Sequence, residues 1–178
     1  MIASDTIHGI AILKSIRLFI MNIHEEVPIK SFSIAAYVCR IEGGKGRYLI
    51  LKRKSSYLSD SWQMVSGKIE KGEKAWEAAL REITEETGLI PDSLYSVNKL
   101  EQFYEANQNC INLVPIFVGF VDSDQLVKLS PEHSEYKWVL PDESTEFLCF
   151  EHQAETMRLI EAKFVKQKPL EFLRIKTK

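Results

Sequence analysis

The chain has 178 residues, the length of a single domain. Hydrophobic residues make up 45% of it and charged residues 27%, which excludes a disordered chain, a collagen and a disulfide-dense scaffold. With a net charge of −2 and a pI near 6.1, the chain has no overall positive field that would attract DNA or an anionic membrane.

Local signals divide the chain into three segments. Residues 1–26 are expected to form a weakly specified N-terminal extension, because residues 1–20 mix helical and strand-like spacings of apolar residues; these first 20 residues are expected to be dispensable for catalysis. Met21 would serve as an alternative start. Residues 27–166 are expected to form the folded domain, and residues 167–178 a basic C-terminal tail.

Strands and helices are expected to alternate along the domain. Apolar runs between turn residues predict strands, and apolar stripes with a 3.6-residue period predict helices. The predicted strands cover 31–40, 47–54, 62–65, 95–105, 110–121 and 136–140; the predicted helices cover 74–87, a short stretch from 141, and 151–166. The last helix carries one apolar stripe, formed by Ala154, Met157, Ile160 and Phe164. This order of elements predicts an α/β fold with helices flanking a mixed sheet.

The cysteines indicate the compartment. Cys39, Cys110 and Cys149 are odd in number and far apart, which fits neither a zinc knuckle nor paired disulfides. We therefore expect a protein of the reducing cytoplasm. The apolar stretch from Ile7 to Ile23 is interrupted by two basic residues, so neither a transmembrane helix nor a signal peptide is expected.

Three glutamates share one side of the helix predicted over 74–87. On a helical wheel Glu82, Glu85 and Glu86 lie within about 100° at the border of the apolar stripe. Carboxylates three and four residues apart repel one another, and partial burial raises that cost, so a bound cation is the natural compensation. Carboxylates without His or Cys favour Mg²⁺ or Mn²⁺ over Zn²⁺. The stripe itself is predicted to contain Ala75, Trp76, Ala79, Leu80, Ile83 and Thr87.

Two further features of this segment suit a metal site. Arg81 is four residues from both Glu77 and Glu85, so it can hold a carboxylate in one orientation. Gly67 and Gly72 are expected to flank a tight loop in which backbone groups approach a metal or a phosphate.

The segment resembles the Nudix box. Gly67 is followed after five residues by Glu73, and after seven more by the run Arg81-Glu82-Ile83-Thr84-Glu85-Glu86-Thr87-Gly88-Leu89. The order of elements over about residues 30–165 is also similar to that of the family. The resemblance implies an α/β/α sandwich around a mixed sheet, and hydrolysis of a diphosphate bond in a nucleotide-like substrate.

The resemblance also implies roles for individual residues. Glu82, Glu85 and Glu86 would hold Mg²⁺ or Mn²⁺ and act in catalysis, and Glu73 and Arg81 would support the loop and the helix. Metal ions would bridge phosphate oxygens and activate a water.

A further ligand or base often comes from outside the box in this family. The run Glu132-His133-Ser134-Glu135-Tyr136-Lys137-Trp138 resembles a stretch of the dihydroneopterin triphosphate and dATP pyrophosphohydrolases. Glu132 is therefore the expected additional metal ligand and catalytic residue, with Glu135 as the alternative. His133 is interpreted as a base or, more readily, as a structural loop histidine.

Substrate contacts are expected at the edge of the box. Arg53 ends a predicted strand, and it is grouped with Gly67 and Lys68 as a substrate-binding residue. Phe103 and Tyr104 are adjacent on a strand, so only one of them can face a cleft and stack on a base, and a core role is favoured for them.

The favoured function is Mg²⁺-dependent hydrolysis of a nucleoside triphosphate or a pterin triphosphate with release of pyrophosphate. Hydrolysis of dinucleoside polyphosphates, ADP-ribose or RNA 5′ ends is the alternative, although the run Met64–Lys68 differs from the Pro-Gln-Gly-Gly of dinucleoside polyphosphate and RNA 5′-end hydrolases. A non-catalytic nucleotide sensor is a further alternative. The expected partner is a small nucleotide, without DNA or membrane, and the expected assembly is a monomer or a homodimer.

Overall fold

The computed structural model of the chain describes residues 26–54 and 59–177. The expectations for the N-terminal extension up to residue 25, including the alternative start at Met21, lie outside the described residues. Within the described part, no helix has the length and apolar content that crossing a membrane requires.

Eight strands of the described residues form one mixed sheet. They are β1 (Ile29–Lys30), β2 (Ser33–Glu42), β3 (Lys45–Arg53), β4 (Trp62–Gln63), β5 (Val65–Lys68), β6 (Ser93–Glu105), β7 (Cys110–Phe120) and β8 (His133–Val139). Helix α1 is Ala75–Thr87, and helix α2 is Glu151–Ile160, which continues as a π-helical turn over Glu161–Val165. Short 3₁₀ helices cover Ala106–Gln108, Glu143–Glu146 and Glu171–Leu173.

Strand β2 connects the two halves of the sheet. On one side β2 pairs in parallel with β7. On the other side it pairs antiparallel with two strands, its first half with β5 and its second half with β3. Strand β3 also pairs with β4 and β8, and β7 also pairs with β1 and β6. Because β5 lies beside the first half of β2, the chain that follows β5 enters α1 directly over the sheet.

The sheet has a hydrophobic core on each side, because successive residues of a strand point to opposite faces. Ile34, Ala36 and Val38 of β2 pack with Ala79 and Ile83 of α1, and we call this side the α1 face. On the other side, which we call the α2 face, the intervening β2 residues pack with the predicted α2 stripe: Ala35, Tyr37 and Cys39 with Ala154, Met157, Ile160 and Phe164. The predicted α/β/α sandwich is confirmed.

The buried side of α1 differs from the predicted stripe. Ala79, Ile83 and Thr87 are buried as expected, whereas Ala75, Trp76 and Leu80 are only partly buried. Ala78 and Glu86 are buried in addition. At the end of the helix the loop before β8 covers Glu86, since the N–H groups of Lys128 and Ser130 donate to the carbonyls of Thr87 and Glu86, at 2.7 and 3.1 Å.

Two boundaries also differ from the predicted ones, and the tail makes one contact with the sheet. Gly67 lies inside strand β5, paired with Ile34, so the turn before α1 begins after Lys68 and contains Gly72 at φ 86°. Strand β8 begins at His133, three residues earlier than predicted, because it pairs with the end of β3. In the basic tail, Arg174 forms a bridge with Tyr95 of β6.

Candidate active site

Arg81 ties helix α1 to the loop before it. Its Nε and Nη2 atoms donate to the two oxygens of Glu73 at 2.9 and 3.0 Å, and Nη2 also donates to the carbonyl of Lys68 at 2.9 Å. The backbone N–H of Glu70 donates to Glu73 at 2.8 Å. The hydrogen bonds from Arg81 and from this backbone group lower the pKa of Glu73. The supporting contact expected for Glu73 and Arg81 is therefore present.

The same arginine also holds two glutamates of α1. Its Nη1 atom donates to Glu82 Oε1 at 2.8 Å and to Glu85 Oε2 at 3.0 Å. Glu77 was the other possible partner, but it accepts from the backbone N–H of Lys74 at 2.8 Å and caps the helix start instead. Arg81 thus draws Glu82 and Glu85 together, which offsets part of their mutual repulsion.

Glu82 fills the space that Gly67 leaves open. A Cβ atom built at Gly67 would overlap the carboxylate of Glu82, so the sequence needs glycine here to let the side chain approach the strand. Burial raises the pKa of Glu82 despite the hydrogen bond from Arg81. The glycine of the box therefore acts through close packing inside a strand, not through a turn.

Glu86 is the most buried of the three glutamates, with a relative exposure of 6%. Its Oε2 atom is buried without a hydrogen-bond partner among the described residues. Burial raises the pKa of Glu86 to about 8, and the negative charges of Glu82 and Glu132 add to the effect, while Arg53 lowers it. A buried carboxylate without a donor is costly to keep, which marks it for a functional role.

The remaining acidic candidates differ in position. The side chain of Glu85 is 59% exposed, against 14% for Glu82. Glu132 is exposed, and its charge acts on Glu82 and Glu86, so it belongs to the same electrostatic cluster. Glu135, the alternative to Glu132, forms an ion pair with Lys52 at 2.8 Å. That pair lies on the α2 face, since Lys52 alternates with Leu51, and Glu135 is therefore directed away from α1.

His133 has a position that the sequence did not reveal. Its imidazole is buried, and its Nε2 atom lies 4.0 Å from Glu86 Oε2. Burial lowers the pKa of His133. A loop histidine was the favoured interpretation, and the burial of both His133 and Glu86 depends on contacts between distant segments.

A cleft of about 520 Å³ includes in its lining Gly67, the glycine against which the carboxylate of Glu82 packs. Its lining combines Arg53, Gly67 and Lys68, the three residues expected to bind substrate, with Phe103 and Phe150. Tyr104 instead donates from its hydroxyl to Asn109 Oδ1 at 2.8 Å. Phe103 is therefore the residue of the pair that faces the cleft, and both side chains are exposed, so the favoured core role is wrong.

Further cleft residues were missed by the sequence analysis. Glu101 and Glu105 line the cleft together with Phe103, and the three alternate along β6. The alternation was a usable signal once Phe103 was placed in the cleft. Asn112 of β7 and Gln153 of α2 also line it, and only the sheet topology brings them there.

The NUDIX domain family profile matches residues 32–166. The chain belongs to the Nudix family. Its class is that of the Nudix pyrophosphohydrolases, which act on acid anhydrides of nucleotides.

The similar proteins carry several activities in their names. The chain is 30% identical to the asymmetrical bis(5′-nucleosyl)-tetraphosphatase of Rattus norvegicus, over 54% of this chain and 67% of that protein. It is 24% identical to the nucleoside triphosphatase NudI of Escherichia coli, over 68% and 93% respectively. It is also 32% identical to an octanoyltransferase of Myxococcus xanthus, but it spans only 36% of that protein's length.

Solved Nudix structures share the fold. The dihydroneopterin triphosphate pyrophosphohydrolase of E. coli superimposes with a TM-score of 0.60 at 21% identity, covering 77% of this chain and 99% of that one.

Nudix hydrolases generally use divalent metal ions such as Mg²⁺, and the donors present here fit such an ion. The box supplies hard carboxylate oxygens, Glu86 Oε2 is buried without a donor, and Gly67 leaves room for Glu82. In the described part of the chain, no three acidic, His or Cys side chains stand close enough together to enclose an ion. Arg81 Nη1 instead bridges Glu82 and Glu85.

Proposed function

We propose that this Nudix enzyme hydrolyses a nucleoside triphosphate, or a closely similar triphosphate, to the monophosphate and pyrophosphate, with Mg²⁺ or Mn²⁺ as cofactor. The observation that carries the proposal is the cleft of about 520 Å³, whose lining combines the cationic residues Arg53 and Lys68 with the aromatic residues Phe103 and Phe150. A cleft of this size takes one nucleotide. The base would lie against Phe103 or Phe150, and the phosphates would extend towards Arg53 and Lys68.

The chemistry assigned to the box follows from its charges. Glu82, Glu85, Glu86 and Glu132 would hold a divalent cation, which would neutralise phosphate charge and make a bound water more acidic. The chain's own residues bind the substrate and orient the metal ligands. Arg53 and Lys68 neutralise phosphate oxygens, and Arg81 holds the box carboxylates in position. Water adds to one phosphorus of the anhydride, the bridging P–O bond breaks, and pyrophosphate leaves. Glu132 or a box glutamate accepts the water proton, because Lys52 holds Glu135 elsewhere.

A second candidate is hydrolysis of a dinucleoside tetraphosphate. The 30% identity to the rat tetraphosphatase favours it. The second nucleoside of such a substrate would have to lie outside the cleft, since the cleft has room for one nucleotide. The products separate the two candidates, because a triphosphate releases pyrophosphate whereas diadenosine tetraphosphate releases ATP and AMP.

A substrate panel with product identification tests both candidates. The purified full chain is incubated with ATP, dATP, GTP, dihydroneopterin triphosphate, diadenosine tetraphosphate, ADP-ribose and a 5′-triphosphate RNA, each with Mg²⁺ or with EDTA. We expect pyrophosphate from a triphosphate, in Mg²⁺ only. Preferential cleavage of diadenosine tetraphosphate would replace the first candidate by the second. Binding without any hydrolysis would indicate a sensor, and full activity in EDTA would exclude the metal.

The surroundings and the assembly remain predictions. The cysteines Cys39, Cys110 and Cys149 are free thiols in the structure, in keeping with the proposed cytoplasmic setting. A monomer or a homodimer is proposed, and size-exclusion chromatography with light scattering distinguishes the two.

A further inference from the structure

Two buried polar atoms face each other beside the box. Glu86 Oε2 and His133 Nε2 are 4.0 Å apart, and both are buried without a hydrogen-bond partner among the described residues. Their side chains are 8% and 1% exposed. Two buried groups without partners are costly, and a shift of about 1 Å would let each satisfy the other.

The register of the sheet aims His133 at helix α1. Along β3 and β8, Leu51 pairs with Tyr136 and Lys52 with Glu135, but Arg53 pairs with His133 and not with Ser134. Side chains of a regular strand alternate, so an unbroken register would direct Ser134 to the α1 face. The shift by one residue at this point directs His133 there instead. Bulges of this kind often re-aim a side chain next to an active site.

The loop before β8 fixes the histidine to the end of α1. The N–H of Ser130 donates to the carbonyl of Glu86 at 3.1 Å, and the N–H of His133 donates to the carbonyl of Ser130 at 3.2 Å. The Ser130 hydroxyl lies 3.5 Å from His133 Nδ1. If this hydroxyl donates to Nδ1, the neutral ring carries its proton on Nε2, the atom that faces Glu86.

We infer that His133 is a positioning residue whose Nε2–H donates a hydrogen bond to the Glu86 carboxylate and leaves the other carboxylate oxygen for the cation. The inference rests on the proposed function, since it takes Glu86 as a metal ligand. It assigns His133 neither contact with the substrate nor a role as general base. Groups that orient a metal ligand typically change metal affinity 10- to 100-fold when they are removed.

Two substitutions at His133 separate positioning from packing. His133→Leu keeps an apolar side chain of similar size but has no donor. His133→Gln keeps an N–H donor at a similar distance from the backbone. Ser134→Ala is the matched control, since Ser134 is exposed and is its neighbour at the same register shift. Mn²⁺ alone is titrated into each full-length protein by calorimetry, and the melting temperature is measured in EDTA.

We expect His133→Leu to bind Mn²⁺ at least 10-fold more weakly and to lower kcat, with KM changed less than threefold. Its melting temperature in EDTA should not fall, because without the cation the two atoms stay 4.0 Å apart and the substitution removes a buried unpaired nitrogen. His133→Gln and Ser134→Ala should bind Mn²⁺ within threefold of the original chain. In ¹H–¹⁵N spectra recorded with Mg²⁺, the His133 ring should carry its proton on Nε2.

Other results overturn the inference. One is equal Mn²⁺ affinity in His133→Leu and the original chain, and another is an equal loss of Mn²⁺ affinity in His133→Gln. The others are a loss of affinity that accompanies a lower melting temperature, and a His133 ring protonated on Nδ1. The nucleotide panel is a separate measurement. If the chain hydrolyses no nucleotide but its Mn²⁺ affinity depends on His133, the proposed function fails and the positioning role stands. If hydrolysis occurs and the affinity does not depend on His133, only the positioning role fails.

Discussion

Two glutamates of almost equal burial lie on opposite faces of the sheet, Glu86 at 6% and Glu161 at 7% relative exposure. Glu161, in the π-helical turn after α2, accepts hydrogen bonds on Oε2 from the N–H of Gly46 and the hydroxyl of Tyr48, both at 3.1 Å. Glu86, on α1, has no donor for its Oε2 among the described residues. One carboxylate thus accepts two hydrogen bonds from the fold on a single oxygen, and the other has a buried oxygen without a donor.

The difference separates a structural carboxylate from a functional one. A buried carboxylate with strong donors holds its surroundings together, here the β2–β3 turn and the end of α2. A buried carboxylate beside two other acids destabilises the fold until something positive reaches it. A glutamate of the second kind is kept for its ligand, and the two residues should therefore respond in opposite ways to the same substitution.

The largest effect on turnover is expected when the two buried glutamates, Glu86 and Glu161, are compared after replacement by glutamine. Glu86→Gln should lower kcat by about two orders of magnitude or more, because a principal electrostatic contribution to the reaction is lost. Glu85→Gln should do the same. The free energy of unfolding of Glu86→Gln in EDTA at pH 7 should not fall, since no hydrogen bond to Oε2 is lost.

Glu161→Gln is the matched control. It should keep kcat within threefold and lower the free energy of unfolding by about 1 kcal/mol, because a neutral oxygen is a weaker acceptor for Gly46 and Tyr48. Turnover is measured at saturating nucleotide and Mg²⁺, and stability by urea titration. An equal loss of turnover in Glu161→Gln and Glu86→Gln would contradict the division into a structural and a functional glutamate.

The next largest effect on turnover is expected at the glycines that pack against glutamates on the two faces of the sheet. A Cβ at Gly67 would overlap the carboxylate of Glu82, and a Cβ at Gly46 would lie 2.6 Å from Glu161 Oε2. We expect Gly67→Ala to lower kcat by about 10-fold or more by displacing a metal ligand. Gly46→Ala should instead lower the melting temperature and leave the turnover of the folded protein within threefold. Activity per folded molecule, with the folded fraction taken from circular dichroism, distinguishes the two results.

The sequence was sufficient to predict the local features, namely the helix bounds and the apolar stripe of α2. Helix α1 begins and ends within one residue of the prediction, and all four residues of the α2 stripe are buried. These features depend on the helical period, which is present in the sequence. A helical wheel also placed Glu82 and Glu86 at the edge of the stripe, but it could not tell that the loop before β8 covers Glu86.

Several contacts of the site are non-local, and local patterns did not reveal them. Of the two partners that helical spacing offered Arg81, it binds Glu85 and not Glu77, and it also reaches Glu73, as the resemblance implied, because the loop before α1 folds back onto the helix. Gly67 was expected to flank a tight loop, but its pairing with Ile34 places it inside strand β5. The position of His133 follows from a one-residue shift between β3 and β8, and no local pattern encodes such a shift.

A pH titration sharpens the comparison further. In the metal-free protein the folded state keeps a proton on Glu86 up to a pKa of about 8, while the unfolded chain releases it near the ordinary value of 4.5. The free energy of unfolding should therefore fall as the pH rises between these values, because the folded state binds more protons than the unfolded state. Above about pH 8 this contribution levels off.

Glu86→Gln should show a flatter profile over the same window, since glutamine does not titrate. Urea titrations in EDTA at several pH values give the two profiles. Parallel profiles for the two proteins would mean that Glu86 is ionised in the folded state and that its burial is compensated. Added Mg²⁺ should stabilise the original chain more as the pH rises, because the ion binds the deprotonated carboxylate.

The smallest effect on the kinetic constants is expected in the cleft. Its lining combines Gln153 of α2 with Gly67 and Lys68 of the box. Phe103→Ala should raise KM for the preferred nucleotide about 5- to 10-fold, equivalent to about 1 kcal/mol of lost contact with the base, and change kcat less than twofold. Tyr104→Ala, the adjacent change outside the cleft, should leave both constants within twofold, because its hydroxyl binds Asn109. Initial rates over a range of nucleotide concentrations separate KM from kcat. An equal rise of KM in the two variants would place the base elsewhere, since neighbouring residues of a strand point to opposite sides.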